Sequence, residues 1–222
     1  MSTYVLQSMV EALLLPEDRV EVRSIFPSQN LDPASDVPSD QMIAELQKAR
    51  LILLNGARFE RGLTSIDLPR ARTIRTAHQL RNLWMTYPEG FSHTSHQHGP
   101  QGAHQHLGVD GHTWMSLPLL TSQLESLISA MQAHGLKIKL DAGQHLHQEL
   151  DQLWSRWQGL VPHLSKRLLF SNHPAYQYLI RDLKLKMLVV DLDPQGTPSE
   201  TALKRLNEAL SSSSRSEIGL NL

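Results

Sequence analysis

Histidine carries most of the chemistry open to this chain. There are twelve histidines and no cysteine, so thiolate metal sites, thiol nucleophiles and disulfides are excluded. What remains is imidazole, a borderline ligand suited to zinc, copper, nickel and iron. Six of the twelve fall in residues 91–114, FSHTSHQHGPQGAHQHLGVDGHTW. His96-x-His98 and His104-x-His106, with His93 nearby, lie among Gly, Gln and Ser. Such a segment captures a metal ion transiently but lacks the packing that fixes a tetrahedral geometry. The bland alternative is a solvated polar loop; a tag is disfavoured because the histidines are interrupted and internal.

His112 has a different setting. It follows Asp110-Gly111 and precedes Thr113-Trp114 and a helix start, which predicts an ordered backbone. His173, in SNHPAYQYL, sits likewise between the apolar run RLLFS and a helix. In α/β proteins ligands bind where strands lead into helices. These two histidines can meet only through the fold; each alone reads equally as a core or capping residue. His145 and Glu149 stand at i and i+4, a spacing that can chelate, although a solvated helix face is the plainer reading. His78, His134 and His163 show no supporting pattern.

The elements that must position these residues follow from periodicity. Leu6, Met9, Val10, Leu13 and Leu14 predict a first helix that ends before Pro16. Arg19–Phe26 (RVEVRSIF) alternates like a strand, and PSQNLDPASDVPSD reads as a surface loop. Its final PSD supplies Ser39 or Asp40 as the cap of a helix through QMIAELQKA. Leu51–Leu54 (LILL), closed by Asn55-Gly56, has the unbroken apolar character of a strand buried in a parallel sheet. A helix before such a strand points to β-α-β units, and Thr73–Ala77 predicts another strand. Residues 87–111 read as a long irregular loop. Helices follow at 118–134 and 142–163, the second with an apolar stripe through Leu146, Leu150, Leu153, Trp154, Trp157, Leu160 and Val161. Strands at 167–171 and 186–190 flank a helix near 174–183, and a last helix runs over 198–210.

Composition bounds the rest. A chain of 222 residues can bury one large core or two small ones. A formal net charge of -1 argues against the basic surface of a general nucleic-acid binder. No apolar run reaches the roughly 18 residues that span a bilayer. MSTYVLQSMVEALLL, as it stands, is no signal peptide. No H-E-x-x-H pattern or P-loop marks a hydrolase, so the chain reads as a binding protein and not an enzyme.

Taken in order, four stretches resemble the solute-binding proteins of zinc and manganese ABC transporters, in which a rigid helix joins two lobes. RVEVRSIFPSQNLDPASDVPSD resembles the family's strand, ligand loop and PSD helix start. LILLNGARFERGL resembles its strand, NG turn and following Glu. The His-rich stretch and DGHTWMSLPL resemble its acidic-histidine loop and D-P-H-x-W motif. KRLLFSNHPAYQYLIRDLKLKMLVV is similar to its third-histidine segment.

The resemblance implies an α/β fold of two small β/α lobes with mainly parallel sheets, the second lobe incomplete. The lobes are 1–141 and 164–222, joined by a backbone helix at 142–163. It implies a periplasmic or extracytoplasmic receptor, monomeric, that binds a divalent metal between the lobes and delivers it to the membrane permease of an ABC uptake system. His112 and His173 are then metal ligands, and Asp32 and Glu60 are candidates to complete the shell. His93, His96, His98, His104 and His106 become auxiliary. Zn²⁺ is expected over Mn²⁺ because the loop is rich in imidazole. One departure stands out: the family's first ligand histidine aligns with Ala34 or Asp32. The alternative is a degenerate member with weak or no metal binding that serves as an interaction protein.

Overall fold

The computed structural model describes residues 1–15, 19–26, 33, 36–87, 95–97, 103–105, 108–189 and 200–212. Helix α1 (Tyr4–Leu13) buries the predicted stripe of Leu6, Met9, Val10 and Leu13, and Thr3 Oγ1 caps it by accepting the Leu6 N–H at 3.1 Å. Helix α2 (Asp40–Lys48) is capped by Ser39, whose Oγ accepts the Met42 N–H at 3.3 Å. Between helices and connecting turns lie β1 (Ile52–Leu54) and β2 (Thr73–Arg75), paired in parallel with Leu53 opposite Ile74.

All three β1 residues are buried, and they serve two cores. Leu53 joins the cluster built from α1 and α3 (Leu117–Ala133), with Met9, Leu13, Leu124, Leu127 and Met131. Ile52 and Leu54 join Ile25, Phe26, Leu46, Leu63 and Leu68 on the other face. This two-sided burial is why the strand reads as LILL and does not alternate. Ser116 Oγ accepts the Leu119 N–H at 3.2 Å, so α3 starts where the 3-10 turn Thr113–Met115 ends, one step after His112.

Helix α4 (Ala142–Leu164) has 23 residues, a rod of about 35 Å at 1.5 Å per residue. Leu146, Leu150, Trp154 and Trp157 lay its stripe on the first core, while Leu160 remains 51% exposed. The second lobe follows: β5 (Leu169–Ser171), α5 (Gln177–Leu183), β6 (Met187–Val189) and α6 (Glu200–Ser212), with β5 and β6 parallel. The fold is thus α/β, two small lobes with parallel sheets joined by a long helix.

Two expectations change. Residues 19–26 are not a strand: exposure alternates over 19–24, but the segment lacks a full ladder partner, Arg19 takes φ +46° and residues 25–26 bend. Ile25 N–H donates to Met1 O at 2.7 Å, a contact too short to make a strand. The stretch 87–111 is not wholly irregular. β3 (Ser95–Gln97) pairs antiparallel with β4 (Ala103–Gln105), with His96 opposite His104 in backbone register.

Candidate metal centre

His112 leaves the N-terminal lobe at the mouth of α3, and His173 leaves the second lobe between β5 and α5. Their rings meet, with centroids 5.6 Å apart and planes at 84°. Two imidazoles on one zinc, with bonds of about 2.0–2.1 Å and a tetrahedral angle, hold their centroids about 5 Å apart. The observed centroid separation is close to that value.

A carboxylate orients His112. Asp110, fully buried, has Oδ1 at 2.7 Å from His112 Nδ1 and 2.9 Å from the His112 backbone N–H. An acidic oxygen there favours the Nδ1–H tautomer, which leaves the Nε2 lone pair free for a metal. Gln177 Nε2 donates to Asp110 Oδ2 at 3.0 Å, and the Tyr178 hydroxyl donates to Asp110 O at 2.8 Å. Tyr178 also accepts the Met85 N–H at 3.0 Å. Tyr87 hydrogen-bonds the same carboxylate, and burial, then the negative charge of Asp110, push its phenol upward. Burial likewise pushes the Tyr178 phenol up to about 12. Both phenols therefore stay neutral donors at physiological pH. Because Gln177 and Tyr178 belong to α5, the support of a first-lobe histidine comes partly from the second lobe.

Below His112 lies a buried polar lattice. Asn55 Nδ2 donates to Gly111 O at 2.9 Å, Thr113 Oγ1 donates to Asn55 Oδ1 at 2.9 Å, and Gln123 Nε2 donates to Thr113 Oγ1 at 3.0 Å. Gly111 is required by space: a Cβ there would stand 2.7 Å from both Cα and Cβ of Phe59. Phe59 and Trp114 in turn meet the His112 ring edge-on, at 5.7 and 5.3 Å. In the second lobe, Ser171 Oγ accepts the His173 N–H at 3.3 Å and donates to His173 O, which fixes the backbone beneath that ring.

Of the remaining candidates, the structure describes the side chain of Glu60. Glu60 is buried, 8% exposed, at the end of β1. Its Oε1 accepts the Asn55 N–H at 2.7 Å and its Oε2 the Gly56 N–H at 3.1 Å. Desolvation raises its carboxyl above the ordinary range. Its oxygens close the NG turn, where Gly56 takes φ +82°, a conformation glycine adopts freely. Asp32 and Ala34 lie outside the described residues, as do His93, His98 and His106; His96 and His104 are described through their backbone pairing alone. His145 Nε2 lies 3.4 Å from Glu149 on an exposed face of α4. Among the described residues, no three His, Asp or Glu side chains gather around one point that could hold a metal. Sequence reasoning missed Asp110, Tyr87, Gln177 and Tyr178 as supports. The D-x-H spacing of Asp110 and His112 was the one local signal for them.

The fold has counterparts among known proteins. A family model described as zinc-uptake complex component A, periplasmic, matches residues 1–216. The metal-dependent lipoprotein YcdH from Bacillus subtilis has a similar structure, with 18% identity, 95% of this chain and 73% of that chain covered, and TM-score 0.69. The Zn(II)-bound ZnuA-like domain of Streptococcus pneumoniae AdcA gives 18%, 95%, 73% and 0.67. The periplasmic zinc-binding protein TroA from Treponema pallidum gives 15%, 93%, 71% and 0.63. At these identities the likeness establishes the fold. No curated protein sequence is significantly similar to the chain. The family match spans nearly the whole chain, and the protein belongs to the family of periplasmic zinc-uptake complex component A.

Proposed function

We propose that this protein binds a divalent transition metal, zinc before manganese, between its lobes and delivers it to an ABC-type uptake permease. His112 and His173 are the ligands, and Asp110 holds His112 in its metal-binding tautomer. The observation that carries the reading is the 5.6 Å approach of the two rings from opposite lobes. An imidazole pair suits zinc better than manganese, whose sites favour more oxygen ligands. Water, Asp32 or a loop histidine completes the shell, since zinc takes four ligands.

Residues 1–141 and 164–222 act as the lobes, and the 142–163 helix limits their hinge motion, so release comes from local shifts. The protein works as a periplasmic monomer and carries out no catalysis. Among the described residues, no helix is long and apolar enough to cross a membrane.

A second reading, a family member with weak metal binding that serves as an interaction protein, is favoured by the lack of a third ligand among the described residues. Zinc titration of the chain lacking residues 92–107 separates the readings. Binding as tight as in the intact chain supports the inter-lobe pair. Loss of tight binding moves the principal site to the His-rich stretch, and weak binding by both forms supports the second reading.

A further inference from the structure

Helix α5 is fastened to the segments around His112 by four hydrogen bonds. The Tyr178 hydroxyl donates to Asp110 O at 2.8 Å and accepts the Met85 N–H at 3.0 Å, and Arg181 Nη1 donates to Leu83 O at 3.1 Å. These three hold backbone. The fourth differs: Gln177 Nε2 donates at 3.0 Å to Asp110 Oδ2, on the carboxylate that faces the His112 ring. Both partners are withdrawn from water, Asp110 at 0% exposed and Gln177 at 6%.

His112 Nδ1 has two neighbours with opposite demands. Asp110 Oδ1, at 2.7 Å, accepts, and so calls for a proton on Nδ1. The Tyr87 hydroxyl, at 3.4 Å, can donate, and a ring that accepts from it carries its proton on Nε2 instead. The first tautomer offers the Nε2 lone pair to a metal; the second does not.

The orientation of Asp110 decides between them. Its Oδ1 is aligned by the His112 ring at 2.7 Å and the His112 backbone N–H at 2.9 Å. Its Oδ2 needs a donor of its own, because a buried polar oxygen left without one loses the hydrogen bonds water would give it. The terminal torsion of an Asp side chain is broad, so the side chain itself offers little resistance to turning. Gln177 supplies the donor and stops the turn. Without it Oδ1 swings out of line, and the ring falls back on Tyr87.

Given the reading above that His112 is a metal ligand, we propose that Gln177 is a positioning residue for the metal: by holding Asp110 Oδ2 it keeps His112 in the Nδ1–H form, so that the docked α5 makes this ligand ready for the ion. Gln177 stands four positions after His173 on the same segment. Undocking of α5 therefore displaces His173 and frees Asp110 together, and both imidazoles lose the ion in one movement.

The test is a double-mutant cycle in the full chain, read by zinc titration and by the imidazole nitrogen chemical shifts of His112 in the metal-free protein. Gln177→Met keeps the side-chain length and removes the donor. Zinc affinity is expected to fall about tenfold, the lower end of the cost of losing an outer-shell partner, and the His112 shifts to move from the Nδ1–H form toward the Nε2–H form. In an Asp110→Asn background the same substitution is expected to change affinity less than about twofold, because the two residues act as one unit. A Gln177 that merely packs would lower the melting temperature and leave the tautomer alone; an unchanged His112 tautomer in Gln177→Met overturns the proposal. So does an equal loss of affinity in both backgrounds. If Gln177→Met does not fold, Gln177→Ala, which admits water beside Asp110 Oδ2, is judged by the same two outcomes. Unaltered zinc affinity in His112→Ala would overturn the metal reading and the proposal with it, and the metal-free tautomer separates that failure from a failure of Gln177 alone.

Discussion

Two buried carboxylates, Glu60 and Asp110, stand on either side of Asn55 and do opposite work. Glu60 spends its oxygens on the Asn55 and Gly56 backbone amides, at 2.7 and 3.1 Å, and so finishes a strand. Asp110 turns one oxygen toward the His112 ring at 2.7 Å and the other toward Gln177 at 3.0 Å. Both acids are withdrawn from water, so burial does not distinguish a structural acid from one that prepares a ligand. What each oxygen faces does. Glu60 meets amides of its own turn; Asp110 meets an imidazole and a side chain from α5, and under the proposed function it would tie the position of α5 to the orientation of His112.

If that contrast holds, the two acids fail differently. Glu60→Ala leaves the Asn55 and Gly56 amides facing a hole, and stability is expected to fall by about 2–4 kcal/mol. Chemical denaturation measures the loss, while zinc affinity of the folded protein stays within a few-fold. Asp110→Asn is expected to weaken zinc binding about 10- to 100-fold, the usual cost of losing a carboxylate behind a ligating histidine. Calorimetric titration reads that change. Unaltered affinity in the Asp110→Asn variant would break the contrast.

A smaller effect follows from the raised Glu60 carboxyl. Between its ordinary value near 4.5 and its folded value, the folded chain keeps a proton the unfolded chain has lost. The group's contribution is therefore full below the ordinary value and declines as pH rises toward the folded one. Relative to the native chain, Glu60→Gln is expected to lose less stability as pH rises from 4 to neutrality. Denaturation curves across that range check it; parallel losses would remove Glu60 as the source.

The sequence made these two regions unequally legible. LILL and the NG turn located β1 because two-sided burial leaves an unmistakable apolar run. The α4 stripe was equally clear because its period persists over 23 residues. RVEVRSIF alternates as a strand does, yet pairing partners decide strands, and the local pattern cannot supply them. His112 and His173 stood out as a pair only through the resemblance of their flanking motifs, since they stand 61 positions apart with two helices, α3 and α4, between them. Glu60 drew attention as a possible ligand because its position after the NG turn matched a family pattern; a backbone amide that will occupy an oxygen leaves no mark in sequence. Asp110 was noted only as a neighbour of His112, and its supporting role was missed for the converse reason: Gln177 and Tyr178 come to it from α5.

The central claim is that the ion rests between His112 and His173, and zinc titration of the His112→Ala, His173→Ala double variant beside the intact chain tests it most directly. The account predicts that affinity falls about 100-fold or more, with the fold and melting profile of the metal-free protein retained. Submicromolar zinc binding that survives the double substitution would contradict it.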